Sequence, residues 1–460
     1  MQNTSSYAER EAGEFRSFTV KDLLDEGRTR GVKLVRFMFS DTCGILRGKA
    51  SSIETALPRF LSGIGIVKGT LAMNMLDALQ SSTGLGAVGE VRLIPDLSSF
   101  KILPYTVGSA SVFCDLLELD GKPWSHCPRA FLRRQIDQLA ALGYEVRVAF
   151  EPEFTLGVDS GAEFLPADSG LCFSSESMDA TTPFIMQLME CLESLNLAVE
   201  QYYPELGAGQ HEVSLKPKGP LAACDQHILL KETIRALARS QGLSASFAPK
   251  VAEDFPGNGC HVHLSLWKDG KNVFYEEGSP LSKIGRHFVA GLLEHLRALC
   301  AITCPSVNSY RRLKPDSWSS AYTVWGLENR EAAVRVPSTY RGREAETTNI
   351  EIKCVDNSAN PYLALGALIA AGLDGIRRQL EPPPPVQVNP SELEEEQKRL
   401  CKVRNLPRSL SEALSALEED NLILAALGEL APTFIAVKTS EEKAFAGKGD
   451  LEFSSHRARY

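Results

Sequence analysis

An α+β fold is predicted from the order of patterns along the 460 residues. A small sheet-rich N-terminal domain, residues 18–120, precedes a larger body, residues 121–460, in which strands alternate with long helices. Three observations predict it. Short apolar runs split by turn residues fill the first part. A helix-period segment followed by Gly143 opens the second. Beyond it, alternating and helix-period stretches succeed one another to the C-terminal tail.

In the first part, Phe18 to Arg30 reads as an amphipathic helix. Val32 to Phe39 reads as a strand, Ser40-Asp41-Thr42-Cys43-Gly44 as a turn and Ile45 to Ala50 as the returning strand. A second pair is predicted near Val91–Ile94 and Ser111–Leu116. In the second part Arg129–Leu142, Pro183–Leu195, Asp225–Gln241 and Leu281–Ala301 read as helices, and Tyr144–Phe154, Glu212–Leu215 and His261–Trp267 as strands. The run Pro382-Pro383-Pro384-Pro385 with acidic Glu392–Gln397 reads as a surface linker before a helical tail at Leu410–Leu430.

With 43% hydrophobic and 23% charged residues, the chain can bury a large core. The net charge of −9 and the lack of a Lys/Arg block argue against a nucleic-acid partner. Apolar stretches such as Tyr362–Leu373 are shorter than the roughly 20 residues a membrane helix needs, so no membrane partner is expected. The leader through Ser17 is polar and lacks a signal-peptide core. The 11 cysteines show no C-x-x-C pairs, which suits reduced thiols and a cytoplasmic location.

Chemistry concentrates in a few short motifs. In Phe150-Glu151-Pro152-Glu153-Phe154 two carboxylates stand at i and i+2 of a strand and share a face. Burial would set them against each other unless a cation lay between; a solvated strand edge is the alternative. In Gly257-Asn258-Gly259-Cys260-His261-Val262-His263-Leu264-Ser265-Leu266, two histidines share one strand face, as ligands or as hydrogen-bonding core residues. Glu205 and Glu212 flank a glycine-bearing loop, where ordinary surface acids are also common. Glu351 and Lys353 share a face of a further strand, as a site pair or a plain ion pair. Five carboxylates and one imidazole form an oxygen-rich donor set that suits Mg²⁺ or Mn²⁺ over zinc or copper, and is large enough for two or more ions. Arg311, Arg312, Arg330 and Arg335 lie among apolar residues, and guanidinium forks match carboxylates and phosphates. No Walker loop or G-x-G-x-x-G is present.

Taken in order, E-P-E-F, G-Q-H-E-V, N-G-C-H-V-H-L-S-L, N-S-Y-R-R-L, E-N-R-E-A-A-V-R-V-P and S-A-N-P-Y-L-A-L resemble glutamine synthetase from about Val32 to Leu430. The resemblance implies a β-grasp N-terminal domain and a catalytic domain whose curved antiparallel sheet is flanked by helices. It implies a ring-shaped homo-oligomer, typically two stacked hexamers (a dodecamer), with active sites between subunits. It also implies ATP as co-substrate and glutamate or a related acid activated as an acyl phosphate, which an amine then captures. Carried over by motif, Glu153, Glu205 and Glu212 would hold one metal, and Glu151, His261 and Glu351 the other. His263, Ser265, Arg330 and Arg335 would meet ATP, and Arg312 would grip the acid. Gly257 would lie at the acid's binding loop, and Arg312, Arg330 and Lys353 would carry the catalytic positive charge.

Departures from the family pattern narrow the amine. Where ammonia-using members carry F-D-G-S-S, this chain has Ser62–Gly69 without an acid. Where they carry the flap glutamate, it has Trp318. An indole face suits a larger cationic amine. With W-G-x-E-N-R downstream, the chain looks like the branch that makes γ-glutamyl amides of polyamines or alkylamines. An ammonia-dependent enzyme with acids from elsewhere (Asp41 and Asp77 are candidates) is one alternative. A non-catalytic scaffold is the other, favoured by Pro256 in place of asparagine and Lys353 in place of arginine. Arg404–Ser409 has no tyrosine nearby, so control by adenylylation is not expected.

Overall fold

A computed structural model describes residues 19–460; the predicted helix start at Phe18 and the leader before it lie outside the described residues. Helix α1 (Val20–Thr29) begins at a capping box in which Thr19 and Asp22 bond each other's backbone N–H. Strands β1 (Leu34–Ser40), β2 (Leu46–Ser52), β3 (Ile64–Val67), β4 (Glu90–Pro95), β5 (Lys101–Ile102) and β6 (Ser109–Leu117) form one mixed sheet. Its order is β2-β1-β6-β4-β3, with β1 and β6 parallel and β5 alongside β6. Helix α2 (Leu57–Ser62) lies between β2 and β3. The predicted hairpin pairs Leu34 with Ser52 and Ser40 with Leu46, and β4 pairs with β6 from Arg92↔Leu117.

The hairpin tip does two jobs. Asp41 accepts the backbone N–H of Cys43 (2.8 Å) and of Ile45 (3.0 Å), which closes the turn. Asn360 donates to the carbonyl of Asp41 at 2.7 Å, which docks the turn onto the second part of the chain. Gly44 sits at φ +75°, and a Cβ there would come within 2.9 Å of the Ala359 carbonyl, so glycine is required on two counts.

The second part is built on a larger sheet. Its strands are β7 (Glu145–Asp159), β8 (Phe164–Pro166), β9 (Val199–Pro204), β10 (Gln210–Leu215), β11 (Ser244–Ser246), β12 (Cys260–Lys268), β13 (Lys271–Asn272), β14 (Trp325–Leu327), β15 (Val334–Val336) and β16 (Ile350–Ile352). The order is β14-β15-β16-β12-β7-β10-β9, with β8 and β11 on β7 and β13 on β12. All pairings are antiparallel except β14 with β15, a three-residue parallel contact at the edge that the expected antiparallel sheet lacks.

Helices α3 (Pro128–Ala140), α4 (Ser175–Ser194), α5 (Pro220–Ser240), α6 (Lys283–Thr303), α7 (Ser309–Arg312), α8 (Glu344–Thr347) and α9 (Pro361–Arg378) accompany it. After α10 (Glu395–Leu400), the tail divides into α11 (Leu410–Glu419), α12 (Asn421–Leu427), α13 (Leu430–Phe445) and α14 (Gly449–Arg459). Side chains from β7, β12, β16, α6 and α9 share the largest buried core.

Two boundaries differ from expectation. Helix α4 starts eight residues before Pro183, because Ser174 caps it by accepting the N–H of Ser177 and the proline is absorbed inside. The proline run is irregular but not a free linker. The Trp325 indole donates to the Pro383 carbonyl at 2.7 Å, and the Val386 N–H to the Trp325 carbonyl at 2.8 Å. Among the described residues no single helix is long and apolar enough to cross a membrane.

The first sheet is joined to helices α3 and α5 by charge. Arg129 of α3 is buried and pairs with Asp96 (2.7 Å) and Asp115 (3.1 Å) from the first sheet and with Asp225 of α5. A second clamp ties three helices. His295 of α6 meets Asp420 at 2.7 Å, at the start of α12, and Asp374 of α9 at 3.1 Å. Burial opposes the imidazolium, but hydrogen bonds to Asp420 and Asp374 outweigh it and raise the pKa above the ordinary 6.5. The fold therefore favours the protonated ring. Its contribution is complete below pH 6.5 and is lost as pH rises through the raised folded value. Urea melts between pH 6 and 9 are expected to show falling stability, and His295→Gln is expected to flatten that slope.

Candidate active site

Strand register brings the predicted residues to one face of the larger sheet. Arg335 of β15 stands opposite Glu351 of β16, and Glu351 opposite His263 of β12. His261 stands opposite Glu151 of β7, and Glu153 opposite Glu212 of β10. Period two keeps Glu151 with Glu153 and His261 with His263 on that face. Glu205 enters from the loop after β9, and Lys353 from the residue after β16.

The side chains converge closely. His263 Nε2 lies 3.1 Å from Glu151 Oε2, and His261 Nδ1 lies 3.2 Å from Glu351 Oε1. Lys353 Nζ stands 3.4 Å from His261 Nε2 and 3.6 Å from Glu351 Oε1. Arg335 Nη1 reaches Glu351 Oε2 at 2.6 Å. Tyr203 of β9 donates its hydroxyl to Glu212, a contact the sequence reading missed although it follows from the pairing of β9 with β10.

Two triads have ligand atoms within 4.8 Å of one another: Glu151, Glu212 and His261, and Glu151, His263 and Glu351. These differ from the expected grouping. Glu151 is shared, His263 joins the second set, and neither Glu153 nor Glu205 completes a triad. Glu153 accepts the Gly259 N–H at 2.9 Å and the Gln210 amide at 3.1 Å, and Glu205 accepts the N–H of Leu206 at 3.1 Å.

The electrostatics fit a divalent cation. Burial and the Glu205 charge push the Glu153 carboxyl up to about 7. Burial, with Glu151 and Glu153 nearby, raises Glu212 well above the carboxylate range. Glu205 is raised as well, first by burial. Glu351 goes the other way, since Lys353, His261, His263 and Arg335 overcome its burial and hold it well below that range. Burial and then Lys353 keep the His261 ring neutral, the form that ligates metals. At His263, burial is outweighed by Glu151 and Glu351, and the pKa rises to about 9. Crowded buried acids with neutral imidazole at hand are a hard-cation donor set, and they fit Mg²⁺ or Mn²⁺.

Beside this face lies a cleft of about 300 Å³ lined by Glu153, Glu205, His261, Arg312, Arg330 and Trp318 among others. A larger cleft of about 530 Å³, bordered by Asp96, Lys101, Arg133 and Asp225, contains none of the motif residues. Arg312 ends the short helix α7 and is buried. Its Nη2 donates to the carbonyls of Val355 (2.8 Å) and Lys353 (3.2 Å), while Nε has no acceptor among the described residues. A Cβ on Gly257 would come 2.3 Å from the Arg312 side chain, so this glycine is the slot through which the arginine passes. Ser265, on the same strand face as His261 and His263, accepts the Trp267 indole N–H at 2.9 Å.

Trp318 is 56% exposed at the mouth of the cleft. Its loop is tightly wound, with Asp316, Trp318 and Ser320 at φ +58°, +53° and +72°. Ser62–Gly69 lies on and around β3 in the other sheet, away from this cleft. Asp41 and Asp77 are both engaged by Arg47, at 2.6 and 2.7 Å, so neither supplies a cleft acid within the chain.

Two family models match the chain. One, "Glutamine synthetase N-terminal domain", covers residues 19–124, and the other, "Glutamine synthetase, catalytic domain", covers residues 125–454. The chain belongs to the glutamine synthetase family. Its members are ATP-dependent ligases that generally use Mg²⁺ or Mn²⁺. A glutamine synthetase of Pyrococcus furiosus is 40% identical, over 90% of this chain and 91% of its own. A gamma-glutamylpolyamine synthetase, GlnA3, of Streptomyces coelicolor is 36% identical over 92% of each. A crystal structure of a novel glutamine synthase homolog superposes with a TM-score of 0.83 at 35% identity, covering 93% of this chain and 99% of that one.

Two outcomes follow from the crowding and the slot. Glu212→Gln removes a carboxylate whose charged form is disfavoured by burial and by Glu151 and Glu153. It is expected to raise the melting temperature of metal-free protein while abolishing the rise that Mg²⁺ or Mn²⁺ gives the unaltered chain. Differential scanning calorimetry with and without metal checks both. Gly257→Ala displaces Arg312 and is expected to cut kcat/KM by ~100-fold, the scale of losing ~3 kcal/mol of a buried charged contact, with folding retained by circular dichroism.

Proposed function

We propose that this chain is a cytoplasmic carboxylate–amine ligase that joins the side-chain carboxylate of glutamate to an organic amine, giving a γ-glutamyl amide at the expense of ATP. The observation that carries this reading is Trp318, an exposed indole at the mouth of the cleft, where ammonia-using members carry an acid. An indole face attracts alkylammonium ions and tolerates their apolar tails. The similarity to GlnA3, named for γ-glutamylpolyamine synthesis, supports it. Glutamine synthetases of equal similarity favour ammonia as the second reading.

In this mechanism Glu151, Glu153, Glu205, Glu212, Glu351 and one or both of His261 and His263 hold two or more divalent cations. When bound, these neutralise phosphoryl oxygens. Arg330, at the cleft, and Arg335, behind Glu351, place positive charge near the phosphates. Arg312 orients the acid through its free Nε–H. The glutamate carboxylate attacks the γ-phosphorus, releasing ADP and forming a γ-glutamyl phosphate. The amine nitrogen attacks the acyl carbon, phosphate leaves, and the amine's proton passes to solvent or a cleft carboxylate. Lys353 stands among the acids and offsets their charge. The assembly is proposed to be a ring of twelve copies, so the chain is expected to elute far above its 50.3 kDa monomer mass. The disulfide-free thiols suit a reducing compartment.

The test is phosphate release with ATP, Mg²⁺ and glutamate against 1,4-diaminobutane, butylamine and ammonia. The expected result is turnover with an organic amine at least tenfold above ammonia, lost in Glu153→Ala and shifted toward ammonia in Trp318→Glu. Ammonia as the best amine establishes the second reading, and no turnover with any amine favours a scaffold.

A further inference from the structure

One buried carboxylate near the cleft has no place in the machinery above. Glu331 follows Arg330 and is 7% exposed. Its Oε1 accepts the backbone N–H of Trp318 at 2.7 Å, so the carboxyl lies directly behind the loop that carries the indole. Its Oε2 is buried and meets no donor among the described residues. The acids of the metal face have cationic or hydrogen-bonding neighbours; this one oxygen has neither. A buried carboxyl oxygen without a donor is unfavourable, so this position is open to a cation that arrives from outside the chain.

The loop in front of it is suited to admit one. Three non-glycine residues alternate in the left-handed region, Asp316, Trp318 and Ser320, and such backbone is held only by its surroundings. Several of those holds are polar. Glu331 holds the Trp318 N–H, Ser319 Oγ donates to the Arg312 carbonyl at 2.7 Å, and Asn389 and Ser391 bond Asp316 at 2.6 and 3.1 Å. The indole itself projects toward solvent.

We propose that Glu331 Oε2 and the Trp318 ring form the subsite for the ammonium end of the amine substrate. The carboxylate supplies the ion pair and the indole covers the adjoining carbon chain. The cation reaches Oε2 as the Trp318 loop shifts outward and the Trp318 N–H releases Oε1. The proposal deepens the organic-amine reading and rests on it for the identity of the ligand.

Glu331→Gln separates the charge from the shape, since a glutamine Oε1 still accepts the Trp318 N–H. Calorimetric titration of the assembled full-length protein with 1,4-diaminobutane, in the presence of Mg²⁺ and a non-hydrolysable ATP analogue, reads the subsite directly. Glu331→Gln is expected to weaken diamine binding at least tenfold, to leave the dissociation constants for the nucleotide and glutamate within twofold, and to keep or raise the melting temperature. In steady state the KM for the diamine rises while kcat at saturation changes little. Unchanged diamine binding in Glu331→Gln overturns the subsite, as does absence of binding to the unaltered protein. A fall in melting temperature or loss of the assembly in Glu331→Gln also overturns it, because a protein cation, such as one from a neighbouring copy, would then be the missing partner. Glu331-dependent diamine binding without γ-glutamyl amide formation leaves the subsite standing and refutes the ligase reading instead.

Discussion

Mutual repulsion among acids on one buried sheet face is the constraint around which the rest of this molecule is arranged. Glu151, Glu153, Glu205, Glu212 and Glu351 come from four strands or strand ends onto one side of the sheet, with Glu151 within 4.8 Å of both Glu212 and Glu351. At an effective dielectric of about 20, two such charges 4 Å apart repel by about 4 kcal/mol, comparable to a large part of a domain's net stability. Hydrophobic packing behind the sheet must hold the strands in register against that force, and the apolar partners of β7, β12 and β16 do so. Polar neighbours take the remainder. Gly259 and Gln210 donate to Glu153, Tyr203 to Glu212, and Arg335 and Lys353 bracket Glu351. What they leave unbalanced is visible in the raised carboxyls of Glu153, Glu205 and Glu212, and that remainder is the shape and sign of a divalent cation.

Much of this was legible in the sequence because period-two patterns are local. Glu151 with Glu153, and His261 with His263, announce a shared strand face without any knowledge of the fold. The pairing of those faces was not legible by spacing, since register between strands more than a hundred residues apart is set by side-chain packing and loop geometry. The motifs place His261 with Glu351, and the side chains meet at 3.2 Å, while the ladder sets His263 opposite Glu351 and brings it to 3.1 Å from Glu151. Short elements escaped for a related reason. The three residues of β14 and of β15 carry too little pattern to read, and the cap at Ser174 outweighs the proline that suggested a later start for α4.

Glu331 shows the limit most sharply. Next to Arg330 in a charged motif, it reads as one more polar residue. Its meaning depends on a loop thirteen residues earlier folding back so that the Trp318 N–H meets one carboxylate oxygen and leaves the other bare. The cleft's other features follow the same rule. Arg312 is informative because Gly257 makes room for it, and the Trp318 loop is informative because its backbone is left-handed at three alternate residues.

The geometry also explains why replacing acids around an amine site does not require giving up cation binding. Ammonium is small and carries charge in every direction, so it is best held by several acids converging from different sides. An alkylammonium has one charged end and a hydrocarbon tail, so surrounding acids would have to shed water against methylene groups at a cost with no return. A single carboxylate behind an aromatic wall divides the work correctly, with the ion pair at the head and the indole along the tail. On the proposed reading, an acid one residue beyond Arg330 with Trp318 at the flap position would change which cation fits while leaving the metal face as it is. On that reading specificity for the nucleophile would be carried by the Trp318 loop and chemistry at the acyl phosphate by the sheet, the two facing each other across one cleft.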